Sequence, residues 1–421
     1  MSDSATHNPK RYNMNNSTSP KKESPRAALL CWSDLQLIDC INYAYHSSDC
    51  IDLFVQHDLN RNGHLINKLK KTGIFSNVFS YNIEHWHYSK IDVIVKTVIN
   101  YLKFTFSQFH STEQNNKKQN FSYFYFITQL HIKTTNMIID GVYSADIESY
   151  DKILAPWAND LTLQLLILNS SAEMILYEDG IGSYAVDMFD IQINPHIKKW
   201  CDRLNIDIKN RKPSKLFLSN GNIPINCNYN IELLKPFSHN NDFKSLLNNI
   251  FDYKPSELYK QKHVIYLTQP YSAAYNSFKE EQAALDNTEK KIITELANIT
   301  DNLLIRPHPR DRKRISTYSS DFLLDSENNV WELVCANELT ENHILIGAIS
   351  TSQFTPKWWY DIEPWVIFTY DLMIGGLSFY NKKLLENAYD LKKTYRNPEK
   401  VIFIRNINEL NSALNYIFSC Q

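Results

Sequence analysis

Apolar residues in this chain gather in short runs, separated by longer stretches in which they recur every three or four positions. The runs at 28–31, 51–55, 78–81 and 123–127 have the length and composition of buried strands. The spaced patterns at 35–44, 63–71, 91–104 and 160–168 read as helices, and a polar loop is expected at 112–120. A further apolar run, Met174-Ile175-Leu176-Tyr177, follows the last of these helices. Strands alternating with helices predict a parallel sheet with helices on both faces. Residues 190–255 lose this regularity: 209–230 reads as loop and 243–251 as a helix. The alternation restarts with strands at 264–267, 303–306, 344–348, 366–368 and 401–404. Helices are expected at 278–297, from 330, at 355–359 and at 407–418. No internal repeat period is present.

Length and composition refine this picture. A chain of 421 residues suggests two domains. The expected division is a disordered polar tail at 1–26, an N-terminal α/β unit at 27–255 and a C-terminal α/β unit at 256–421. The net charge of -2 argues against nucleic acid as a partner. Seven scattered cysteines, never two residues apart, suggest reduced thiols rather than disulfides or zinc. No apolar run reaches the ~18 residues of a membrane span, and a cytoplasmic protein is expected. A solvated tail is the simpler reading of residues 1–26, but Lys10, Arg11, Lys21, Lys22 and Arg26 also suit an anionic inner-membrane surface.

The chemistry concentrates where apolar runs end. Met174–Tyr177 runs straight into Glu178-Asp179-Gly180. Two adjacent anions repel, so their place at a strand's carboxyl end, where open α/β sheets bind ligands, suggests a proton acceptor. Solvated acids in an Asp-Gly turn are the alternative. Gly180-Ile181-Gly182-Ser183-Tyr184-Ala185 formally matches a dinucleotide fingerprint. The preceding acids would repel a pyrophosphate there. The second candidate is Arg306-Pro307-His308-Pro309-Arg310, with Arg312 beyond it. Prolines stiffen the backbone around a histidine, and the cations suit an anionic ligand. Ser350-Thr351-Ser352 follows a third strand and can cap a helix or hold a phosphate. Glu332, in Trp331-Glu332-Leu333, is either a ribose ligand or a solvated helix residue. His85-Trp86-His87 lacks further ligands at metal spacing, so neither metal nor cofactor is expected. Trp358-Trp359-Tyr360 reads as packing rather than a stacking platform.

Taken in order, these motifs resemble the D/E-D/E-G, H-P and S-S/T signatures of bacterial sialyltransferases. The resemblance is to the lipooligosaccharide enzymes (glycosyltransferase family 52) and the capsular polysialyltransferases. It spans roughly residues 170–355. Ser-Thr-Ser stands where a plain serine pair is common. Some members carry a ribose-binding carboxylate after a proline, and the proline is missing before Trp331-Glu332. The resemblance implies a GT-B fold, in which two Rossmann-like domains face each other across a cleft. It also implies metal-independent, inverting transfer of sialic acid from CMP-sialic acid to a hydroxyl of a cell-surface glycan. Glu178 would be the base, with Asp179 the alternative, and His308 would meet the departing phosphate. Gly180, Arg306, Pro309, Arg310, Glu332, Ser350, Thr351 and Ser352 would contact substrate. The alternatives are transfer of another CMP-linked ulosonic acid, a UDP-sugar transferase or sugar-nucleotide epimerase, and a non-catalytic glycan-binding or assembly protein.

Overall fold

The computed structural model describes residues 24–59, 63–81, 149–169, 171–185, 187–189, 210–221, 228–235, 240–269, 279–309, 322–327, 329–373 and 382–421. The helix expected at 91–104, the strand at 123–127, the loop at 112–120, the His85/His87 pair and most of the polar tail lie outside these residues.

The first sheet holds β1 (Arg26–Cys31), β2 (Cys50–Gln56), β3 (Asn77–Tyr81), β4 (Lys152–Ala155), β5 (Glu173–Tyr177), β6 (Lys215–Leu218) and β7 (Asn230–Leu233). All pair in parallel, in the order β3-β2-β1-β4-β5-β6-β7. The second holds β8 (Val264–Leu267), β9 (Leu303–Arg306), β10 (Ile344–Gly347), β11 (Trp365–Phe368) and β12 (Val401–Phe403), also parallel, in the order β12-β11-β10-β8-β9. This is the expected α/β class, and two such units facing across a cleft are the GT-B arrangement.

Three strands were not anticipated. β4 and β6 each begin with lysine, and β6 alternates buried with half-buried positions. β7 is an edge strand that leaves Ile231 and Leu233 exposed, so burial leaves no pattern in it. Arg26, counted with the tail, is the first residue of β1. Its guanidinium lies 2.8 Å from the buried Asp52, which also accepts from Tyr150 Oη and Asn77 Nδ2.

The helices are α1 (Asp34–His46), α2 (Leu65–Thr72), α3 (Asp160–Leu168), α4 (Asn241–Ile250), α5 (Glu257–Gln261), α6 (Lys279–Ile299), α7 (Trp331–Asn337), α8 (Thr351–Tyr360), α9 (Lys382–Thr394) and α10 (Ile407–Cys420). The charged helix α9 was not foreseen. The helix expected at 355–359 begins earlier, at Thr351, and carries Pro356 inside it. Proline has no N–H to give the carbonyl one turn back. The Trp331 indole N–H donates to that carbonyl, Ser352 O, at 2.9 Å. The start of α7 therefore completes the hydrogen bonding of α8.

Two apolar cores cover the faces of the first sheet and a third surrounds the second. The units also share packing. Leu333 of α7 and Trp359 of α8 are buried in the first unit's core with Phe243 and Leu247 of α4. Lys244 Nζ donates to Ala336 O at 2.6 Å, and Asn248 and Asn337 exchange amide bonds at 3.1 and 3.0 Å. Trp358 packs on Tyr184 and Phe354, with ring centroids 4.6 and 4.7 Å away. These aromatics are packing residues, as the sequence indicated. The five described cysteines are free thiols. No described helix is long and apolar enough to cross a membrane.

Candidate active site

Strand order reverses between β1 and β4 in the first sheet and between β8 and β10 in the second. Open α/β sheets bind ligands outside the carboxyl ends of strands at such reversals. A cavity of about 1070 Å³ lies there, lined from one side by Trp32, Asp34, Asp179 and Gly180, and from the other by His308, Glu332 and Ser350–Ser352.

The acidic pair at the end of β5 is split by the fold. Glu178 is fully buried, and its Oε2 accepts from Tyr184 Oη at 2.8 Å and from Ser219 N at 2.7 Å. Burial pushes this carboxyl up, partly offset by those two donors. Glu178 thus ties the ends of β5 and β6 to the turn at Gly182–Tyr184. Asp179 lines the cavity. Its backbone N–H donates to Ser183 Oγ at 2.6 Å, and its Oδ1 accepts from Gln36 Nε2. Neighbours at a strand's end point to opposite sides, and only one acid can face the cleft.

Gly180 follows with φ 65°, a left-handed conformation that favours glycine. A Cβ there would lie 2.9 Å from Thr351 Cγ2 and closer still to Thr351 Oγ1. Thr351 Oγ1 accepts from Ile181 N at 3.1 Å, so the two units touch at this point. The glycine in the acidic motif is required by close approach of the opposite wall, which no reading of the local turn reveals.

On the opposite wall, Ser350 caps α8, accepting from Ser352 N at 3.4 Å, while Gln353 Oε1 accepts from Ser350 N at 3.0 Å. His308 stands past the end of β9 and its backbone N–H donates to Thr268 Oγ1 at 2.9 Å. Pro309 lines the cavity beside it. Glu332 is 7% exposed and lines the same space. Burial raises its carboxyl to about 7, with the charge of Asp34 across the cleft adding to the rise and Arg306 opposing it. Arg306 is turned inward. It donates to Tyr259 Oη at 2.5 Å, to Asn329 O at 2.6 Å and to the Asp325 carboxylate, and stacks 5.0 Å from the Trp331 ring. Its charge is matched within the protein, so it braces the wall rather than offering a bare cation to a ligand. Arg310 and Arg312 lie outside the described residues.

The fold therefore gathers Asp179, Gly180, His308, Pro309, Glu332, Ser350, Thr351 and Ser352 around one cavity and withdraws Glu178 from it. Sequence reasoning missed Gln36, Thr268 and Trp32, whose ring lies 4.3 Å from that of Trp157. For Gln36 a signal existed: Ser33-Asp34-Leu35-Gln36 after an apolar run is a capping box. No group of metal-ligating side chains occurs among the described residues.

No family model matches the chain, and no curated protein matches it. Among solved structures, CalG4, a calicheamicin glycosyltransferase, is 9% identical with a TM-score of 0.45, over 94% of this chain and 90% of that one. The spinosyn rhamnosyltransferase SpnG, complexed with its aglycone, is 10% identical with a TM-score of 0.42, over 94% and 92%. The ADP-heptose heptosyltransferase II of E. coli is 6% identical with a TM-score of 0.33, over 93% and 99%. The fold class follows from the strand order of the two parallel sheets.

Proposed function

We propose that this protein is an inverting glycosyltransferase that moves sialic acid from CMP-sialic acid to a hydroxyl of a cell-surface glycan, a lipooligosaccharide or a capsular chain. The observation that carries the reading is that Asp179 and His308, distant in sequence and on different sheets, line one sugar-sized cavity. Asp179, rather than the buried Glu178, takes the proton of the acceptor hydroxyl. The hydroxyl oxygen attacks the anomeric carbon from the face opposite the phosphate, and the bond from that carbon to the phosphate oxygen breaks. CMP leaves, with His308 hydrogen-bonding or protonating its phosphate and the Ser350 and Ser352 hydroxyls within the same wall. Glu332 accepts the ribose hydroxyls. Neither a metal nor a cofactor enters the scheme. The acceptor is met on the cytoplasmic side, with a peripheral membrane contact through the basic tail.

A UDP-sugar donor or another CMP-linked ulosonic acid suits the same cavity. The deciding test is thermal protection of the purified protein by CMP against UDP, followed by mass analysis of galactose-terminated acceptors incubated with CMP-sialic acid. Protection by CMP and a sialidase-sensitive mass gain are expected. Protection by UDP alone would remove the CMP donor, and absence of both transfer and donor hydrolysis would leave a non-catalytic glycan-binding protein.

A further inference from the structure

The acid facing the cleft is held by a residue that none of the motifs contains. Gln36 is 1% exposed, and both ends of its side-chain amide have defined partners. Its Oε1 accepts from Trp32 N at 2.8 Å and Ser33 N at 3.1 Å, and its Nε2 donates to Asp179 Oδ1. Two backbone donors at one end settle the amide's orientation: the oxygen must face them and the NH₂ must face the carboxylate. Glutamate would complete this capping box equally well, since Glu and Gln serve alike at that position. Glutamate would, however, set a second carboxylate against Asp179 in place of a donor. The helix start therefore does not explain the choice of amide, whereas the contact with Asp179 does.

We infer that Gln36 is a positioning residue for the proposed transfer: by holding Asp179 Oδ1 it fixes the orientation of the carboxylate that lines the cleft. This rests on the reading of Asp179 as the base. The backbone bond from Asp179 N to Ser183 Oγ holds the main chain, and Gln36 holds the side chain. The other titratable groups lining this space are Asp34, Asp58, Arg306, His308, Asp325, Glu327 and Glu332, with Asp39, Glu178 and Tyr184 bordering it. None of them occupies the place of the Gln36 amide.

The test uses the full chain in four forms: wild type, Gln36→Glu, Asp179→Asn, and the double variant. Gln36→Glu keeps the helix cap but opposes two carboxylates. It should melt lower than wild type at pH 8, and the double variant, which restores a donor–acceptor pair, should recover that loss. In transfer assays Gln36→Glu should lower kcat by about 10²-fold with KM little changed, as misplacement of a reacting group does. Its kcat profile should also move to higher pH. If the double variant recovers no stability, the contact is not made and the inference is overturned. An inactive Asp179→Asn beside a fully active Gln36→Glu overturns the positioning role alone. A fully active Asp179→Asn overturns the base assignment, and with it the transfer role of Gln36, while the stability cycle still decides the contact. Should Gln36→Glu fail to fold, recovery in the double variant still supports the pairing, and a double variant that also fails to fold overturns it.

Discussion

Helices α1 and α8 begin with the same device and use its spare group differently. Each opens with Ser-x-x-Gln after a strand at its sheet's point of reversal, and in each the serine caps the helix while the glutamine oxygen returns to the backbone. In α8 the leftover NH₂ of Gln353 turns into its own sheet, toward Gly347 O at 3.4 Å and Ile367 O at 3.3 Å. In α1 the leftover NH₂ of Gln36 leaves the helix and meets Asp179. One box therefore only finishes a fold, and the other also aims a carboxylate. Identical local patterns acquire different roles from what the opposite element brings within reach.

Five single substitutions, one of them with a second change added, break or sharpen that contrast. The largest effect is expected on the α1 side: Asp179→Asn should lower the transfer rate about 10²–10⁴-fold. Glu178→Gln, which keeps an oxygen for Tyr184 and Ser219, should retain most of the turnover. Initial rates of the two purified variants separate the roles of the pair. On the α8 side, Glu332 has a carboxyl raised to about 7 by burial. In the unfolded chain it ionises from near 4.5, so stability is fully present below that pH and falls until about 7. Glu332→Gln should therefore stabilise the protein by up to roughly 3 kcal/mol above pH 7, with no gain near pH 4. Denaturant melts across that range measure it, and a gain independent of pH would refute it.

The seam between the two walls comes next. Gly180→Ala places a methyl group in a left-handed backbone against Thr351, and should cost about 2 kcal/mol or more. Adding Thr351→Ser should relieve part of the loss by removing the nearby methyl, which equilibrium unfolding can test. The smallest effect is assigned to Gln353→Leu, about 1 kcal/mol from the lost cap. It should lower the melting temperature and leave the pH profile of transfer unchanged. If it shifted that profile as Gln36→Glu does, the contrast between the helices would disappear.

Legibility in the sequence followed burial. β1, β2, β5 and β8–β11 are almost wholly buried, so their apolar runs announced them. The edge strand β7, the lysine-led β4 and β6, and the charged α9 left no such mark. The candidate site followed a similar rule. His308 and the hydroxyl cluster stand beside recognisable strand or helix ends, which made them candidates, whereas Glu332 was equally readable as a solvated helix residue and is instead buried at the cavity. Arg306 looked like a free cation because Asp325, Tyr259 and Asn329 are far from it in sequence.

The order of residues alone determined that acids, histidine and hydroxyls would sit at the carboxyl ends of strands, because apolar runs specify strands and the residue after each run is then placed. Only the tertiary structure decided which acid faces the cavity, why glycine must follow it, and what the Gln36 amide binds. The last two outcomes depend on contacts between segments more than a hundred residues apart. Such contacts are set by how the sheets and helices pack, which no local pattern of side chains encodes.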